Sequence, residues 1–146
     1  MIRNLIVSMS NILIYTPRAF GAGESERIAL PKVMIVDDDR TTTSLLKQLL
    51  EMDDFEVMVV PRGLDAFQKA QEFRPDVFLV DYYLADIAGV DFVRQLRAST
   101  DFLTTPVVMA SGRDVEREAK EAGANLFLVK PFEPDQLAVH FTRLIG

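Results

Sequence analysis

Four short apolar runs, each closed by one or two chemically loaded residues, constrain this chain more than anything else in it. Val33–Val36 runs into Asp37-Asp38, Val77–Val80 into Asp81, Val107–Ala110 into Ser111, and Leu126–Val129 into Lys130-Pro131. Each run is too short for a helix and has the unbroken apolar character of a strand buried on both faces. A fifth run, Phe55–Val60, is rich in β-branched residues and also reads as a strand. Between the runs lie segments with apolar residues at helical spacing. They are Arg40–Met52 (Leu45, Leu46, Leu49, Leu50), Leu64–Phe73 (Ala66, Phe67, Ala70, Phe73), Gly89–Ala98 (Phe92, Val93, Leu96), Asp114–Ala122, and Pro134–Ile145 (Leu137, Phe141, Leu144).

Strand–helix alternation with such short connections implies an α/β domain, with a parallel sheet covered by helices on both faces. The expected strands are Lys32–Val36, Phe55–Val60, Asp76–Asp81, Pro106–Ala110 and Leu126–Val129. In an open parallel sheet the carboxyl ends of the strands share one edge, and ligands bind there. Asp37, Asp38, Asp81, Ser111 and Lys130 would therefore meet in one pocket. Adjacent carboxylates repel unless a cation neutralises them. Mg²⁺ suits the set, since it needs only one or two carboxylates beside waters and phosphate oxygens. Asp81 ends a fully apolar strand, where a charge is costly unless paired, and a carboxylate can act as a nucleophile toward phosphorus. Lys130 could neutralise a transferring phosphoryl group, and the Ser111 hydroxyl could donate to it. Asp39 reads as the N-cap of the first helix.

The 146 residues fit one domain of ordinary size. Net charge is −6, with no basic cluster, which argues against direct nucleic-acid binding. There is no cysteine, so disulfides, thiolate chemistry and Cys-based zinc sites are excluded. Residues 1–30 differ in character. Leu5–Tyr15 is mostly apolar, and Pro17–Glu26 reads as a linker. The apolar stretch is too short to span a bilayer. It has some features of a signal peptide, with Arg3 ahead of it and Ala19 and Gly21 as small residues after it. The acidic site needs phosphodonors found inside cells, which argues against that reading and leaves an added strand or helix, a partner-binding arm, or a start codon placed upstream of the true one. The expected division is an N-terminal extension over 1–30 and a domain over 31–146.

The pieces VMIVDDDR (33–40), DVFLVDYYLADIAG (76–89), PVVMASG (106–112) and GANLFLVKPF (123–132) resemble the receiver domain of two-component response regulators, as in chemotaxis receivers. The resemblance covers about residues 31–146. It implies a flavodoxin-like (βα)5 three-layer sandwich with strand order 2-1-3-4-5. It further implies that Asp81 accepts a phosphoryl group from a histidine kinase or histidine phosphotransferase. Asp37, Asp38, Asp81 and the backbone carbonyl of Tyr83 would hold Mg²⁺, and Ser111 and Lys130 would bind the phosphoryl oxygens. Lys130-Pro131 is expected to be cis. Phe127 matches an aromatic switch position and would turn inward as Ser111 moves toward the phosphoryl group. Such a receiver is a cytoplasmic signalling module that catalyses only its own phosphoryl transfer and dephosphorylation. Its protein target would bind the face made by the fourth helix, last strand and last helix.

Several positions depart from the family pattern. Many relatives carry proline at Ala85 and aspartate at Ala88, and Phe127 replaces a frequent tyrosine. Tyr83 and Arg113 flank the expected path of the attacking water, and this bulky pair would slow acyl-phosphate hydrolysis. His140 lies in the last helix without the bundle context of a phosphorelay histidine. Arg94, Arg97 and the charged fourth helix read as solvated faces. The chain ends at Gly146, so a stand-alone receiver is expected. A haloacid-dehalogenase-type phosphatase would want a second acid two residues after its nucleophile, where Tyr83 stands. A degenerate receiver serving as a phosphorylation-independent binding module is the other alternative.

Overall fold

The computed structural model describes residues 29–146. The extension, linker and signal-like readings of the segment before them lie outside the described residues. Five strands alternate with five helices: β1 Lys32–Val36, α1 Arg40–Met52, β2 Glu56–Val60, α2 Gly63–Phe73, β3 Val77–Asp81, α3 Gly89–Arg97, β4 Val107–Ser111, α4 Glu116–Ala122, β5 Leu126–Val129 and α5 Asp135–Ile145. The strands form one parallel sheet in the order β2-β1-β3-β4-β5.

The continuous apolar runs divide by period two into two cores, because successive strand side chains point to opposite faces. Met34, Val36, Phe78, Val80, Val107 and Met109 face α2, α3 and α4, where Ala66, Ala70, Phe92, Val93, Leu96 and Ala119 complete that core. Val33, Ile35, Val77, Leu79, Val108 and Ala110 face α1 and α5, packing with Leu46, Leu50, Leu137 and Phe141. The result is a three-layer sandwich. Phe78 sits at the centre of the first core, edge-on to Phe92 at 5.8 Å and to Phe102 at 5.6 Å.

Boundaries shift by one or two residues from those expected. β4 begins after Pro106, which lacks an N–H, and extends to Ser111. α4 starts at Glu116 rather than Asp114, because the Asp114 carboxylate accepts from the Glu116 amide at 3.3 Å instead of joining the helix. Asp39 caps α1, accepting from the Thr42 amide at 3.3 Å and the Thr42 hydroxyl at 2.7 Å. These two bonds, the hydroxyl's first, hold its carboxyl below the usual range.

One expectation fails. Arg94 is exposed beside Asp91, but Arg97 is not part of a solvated face. Its guanidinium donates to the carbonyls of Phe102 (2.8 Å), Thr105 (2.8 Å) and Gly123 (3.1 Å) and to Asn125 Oδ1 (3.0 Å). A last-turn arginine can fold back over loop carbonyls that helical periodicity does not reveal, and burial lowers its pKa. Gly123, at φ +121°, leaves the space that the Arg97 stem fills.

Candidate functional site

The chain leaves β1 toward the outer strand β2 and returns to β3 on the other side of β1. This reversal opens a crevice at the carboxyl ends of β1 and β3. Asp37 and Asp38 follow β1, and Asp81 is the last residue of β3. One oxygen from each of the three carboxylates lies within 4.8 Å of the others. Opposite ligands of an octahedral Mg²⁺ are about 4.2 Å apart at ~2.1 Å per arm. The hard oxygen donors and this spacing fit such an ion with little movement.

Asp37 is buried and accepts from the Asp39 amide at 3.0 Å. Its second oxygen lies 3.2 Å from Lys130 Nζ. Lys130, following β5, reaches Asp81 Oδ1 at 2.9 Å. Burial pushes the Asp81 carboxyl up. Lys130 opposes this, the charges of Asp37 and Asp38 reinforce it, and the net shift is upward. Burial alone would lower the Lys130 ammonium, but Asp81 and Asp37 outweigh it and hold its pKa above the usual value. A lysine held firmly cationic among three carboxylates is matched to an anionic ligand carrying a divalent cation.

Ser111 is 1 % exposed, and its hydroxyl accepts from the Arg113 amide at 3.1 Å. Its carbonyl accepts from the Lys130 amide at 2.7 Å, joining the ends of β4 and β5. Asp81 pairs in register with Ala110, and Ser111 with Val129. Asp81, Ser111 and Lys130 thus share one sheet edge, and the Lys130-Pro131 peptide is cis.

The loop after Asp81 carries Tyr83, which is exposed and bridges Ala88 across the loop. Gly89 closes that loop. A Cβ there would collide with the carbonyl of Asp81 and the Cα of Tyr82, so the tight return requires glycine. Phe127 is 8 % exposed and packed into the α2/α3/α4 core, so its ring is already inward while Ser111 is held by Arg113. Having no hydroxyl, this ring has no polar tip to satisfy by turning outward. His140 is half-buried on α5 and Arg113 is exposed.

Sequence reasoning missed Asp86. Its carboxylate accepts from the amides of Gly63 (3.0 Å) and Leu64 (2.9 Å) at the start of α2, and from Ile87 (3.0 Å). These bonds, Leu64's first, lower its pKa. No local pattern signals this, because two of the partners lie 23 and 22 residues earlier in the chain.

Residues 33–142 match the response regulator receiver domain family. The chain belongs to that family. It is therefore a receiver domain of a two-component system, a signalling module rather than an enzyme in the ordinary sense. The receiver is 33% identical over 111 residues to the phosphate regulon transcriptional regulatory protein PhoB of Rhizobium meliloti, covering 74% of this chain and 49% of that protein. It is 35% identical over 117 residues to the transcriptional regulatory protein CpxR of Escherichia coli, covering 78% and 49% respectively. The chain thus spans about half the length of these curated relatives. Among solved structures, the chemotaxis protein CheY4 of Vibrio cholerae superposes with a TM-score of 0.75 at 31% identity, over 80% of this chain and 99% of that one. The receiver domain of a Pseudomonas aeruginosa sensor histidine kinase superposes at 0.74 with 26% identity, over 81% and 99%. That structure has a magnesium ion coordinated in its active-site cleft. Among the described residues, no helix is long and apolar enough to cross a membrane.

Proposed function

We propose that this receiver is phosphorylated on Asp81 by a histidine kinase or histidine phosphotransferase, and that the phosphorylated form changes a protein contact. The observation that carries the reading is Lys130, held at 2.9 Å from Asp81 and 3.2 Å from Asp37 in a pocket of three converging carboxylates. In the transfer, an Asp81 oxygen attacks phosphorus as the phosphorus–nitrogen bond of the donor phosphohistidine breaks, and the imidazole leaves with that electron pair. Asp37, Asp38, Asp81 and the Tyr83 carbonyl would hold Mg²⁺, which would supply charge neutralisation to the transferring oxygens. Lys130 turns from the carboxylates to one phosphoryl oxygen. The Ser111 hydroxyl gives up the Arg113 amide and donates to another.

The same pocket admits water for dephosphorylation, and Tyr83 and Arg113 narrow its access. Replacing both (Tyr83→Asn, Arg113→Glu) is expected to shorten the lifetime of the phosphoryl group. The output is assigned to the face of α4, β5 and α5, where Val129 at the end of β5 is exposed. Phe127 and Ser111 form the switch, with Ser111 the moving part because Phe127 already lies inside. A stand-alone receiver would act wholly through such a contact, without touching nucleic acid itself, and its phosphohistidine donor places it in the cytoplasm.

Binding of beryllofluoride, an acyl-phosphate mimic, tests the reading. Mg²⁺-dependent binding that disappears in Asp81→Asn, with altered amide signals at Ser111 and along α4, supports it. A protein that ignores beryllofluoride and holds its partner equally with and without Mg²⁺ is the degenerate binding module instead.

A further inference from the structure

The segment Leu84–Ile87 is fastened on two sides. On one, the Ala85 amide donates to Asp38 Oδ2 at 3.1 Å. On the other, both oxygens of Asp86 are engaged by the Gly63 and Leu64 amides at the start of α2, and Arg62 Nε stands 3.9 Å away. The Asp86 side chain is 15 % exposed, and the α2 N-cap position, Arg62, makes no side-chain cap bond of its own. Asp86 therefore does from a distant loop what an N-cap residue does locally, with its charge facing the positive end of an 11-residue helix. Apolar contact tightens the junction. A Cβ on Gly63 would come within 2.6 Å of Ile87 Cγ1 and 3.0 Å of Leu84 Cδ1, so helix and loop touch with no room between them.

We propose that Asp86 is a positioning residue for the metal pocket: by anchoring this loop to α2, it holds the Ala85 amide on Asp38 and fixes the direction of that carboxylate. The inference rests on the metal-binding reading above. Asp38 is exposed and follows the end of β1, so the Ala85 amide is what orients it. With Oδ2 engaged by that amide, Oδ1 is left for an ion. Alanine at position 85 has an N–H to give, which a proline there would lack. Ala85 thus supplies a donor to a candidate metal ligand, and Asp86 keeps the donor in place. A partner that orients a ligand in this way typically changes metal affinity by about tenfold or more when removed.

The test compares the full chain with Asp86→Asn, Ala85→Pro and the double variant. Asp65→Ala serves as a control that disturbs the first turn of α2 without touching the loop. Mg²⁺ affinity is read by calorimetric titration, amide exchange by NMR in the metal-free protein, and thermal stability alongside. The expected result for Asp86→Asn is about tenfold weaker Mg²⁺ binding and faster exchange at Ala85 as well as at Gly63 and Leu64. Asp65→Ala should leave affinity and Ala85 exchange unchanged. In the Ala85→Pro background, Asp86→Asn should weaken Mg²⁺ far less, since the bond it acts through is gone. The proposal is overturned if Asp86→Asn lowers stability and frees only the α2 amides, with Ala85 exchange and Mg²⁺ affinity as in the parent. If the parent itself fails to bind Mg²⁺, the metal reading falls. Ala85 exchange in the metal-free protein then still decides whether Asp86 holds the loop.

Discussion

Lys130 Nζ lies 2.9 Å from Asp81 Oδ1 although the two residues are 49 apart in sequence, and the same ammonium reaches Asp37. Without it the pocket would hold three carboxylates and no cation. Lys130→Ala should therefore destabilise the metal-free protein by about 1–2 kcal/mol, less than a fully buried pair would lose because the lysine is partly exposed. Mg²⁺ should restore part of the loss. Urea denaturation in chelator and in millimolar Mg²⁺ measures both, and a loss that Mg²⁺ leaves untouched would contradict the account.

Asp81 works against the metal-free fold at neutral pH. Its folded pKa is raised, by burial first, so the native state binds that proton more tightly than the unfolded chain does. The stabilising contribution of the neutral form is present below the unfolded value, about 3.9, and is lost as pH rises through the folded pKa. Asp81→Asn should thus melt about 3 °C higher than the parent at pH 7 in chelator, with the gap closing on acidification. Mg²⁺ at a hundred times its Kd should add about 2.7 kcal/mol to the parent and less to the variant. An equal metal effect on both proteins would remove Asp81 from the ligand set.

Gly89 tests how tightly the acceptor is placed. The β-carbon of Gly89→Ala would press on the carbonyl of Asp81 itself, tilting the residue whose carboxylate is proposed to react. Overpacking of this kind costs about 1–3 kcal/mol, while misplacement of a reacting group by ~1 Å can cost a hundredfold in rate. The phosphorylation rate with acetyl phosphate should fall far more than thermal stability does. A proportionate fall in both would mean that the turn serves the fold alone.

Much of this was legible in the sequence because the chemistry sits at strand ends. Asp37, Asp38, Asp81, Ser111 and Lys130 each close an apolar run. A parallel sheet with short connections brings such ends to one edge, and the structure places all five there. The alternating helices were legible from the spacing of residues such as Phe92, Val93 and Leu96, all fully buried. Side-chain reach across the fold was not legible. Arg97 satisfies carbonyls in two loops, and Asp86 caps a helix that begins 23 residues before it. Neither contact leaves a periodic trace, since each depends on loops that meet only after the sheet has formed. The inward setting of Phe127 was equally hidden, because a rotamer is decided by the space between β4, α4 and β5.

The central claim is that Asp81 is the phosphoryl acceptor of an Mg²⁺-dependent receiver. Intact-mass measurement after incubation with acetyl phosphate tests it most directly, with parallel samples lacking Mg²⁺ and carrying Asp81→Asn. The account predicts one added phosphoryl group in the parent with Mg²⁺ and none in either control. Equal phosphorylation of Asp81→Asn, or a parent that stays unmodified with Mg²⁺ and excess donor, would contradict it.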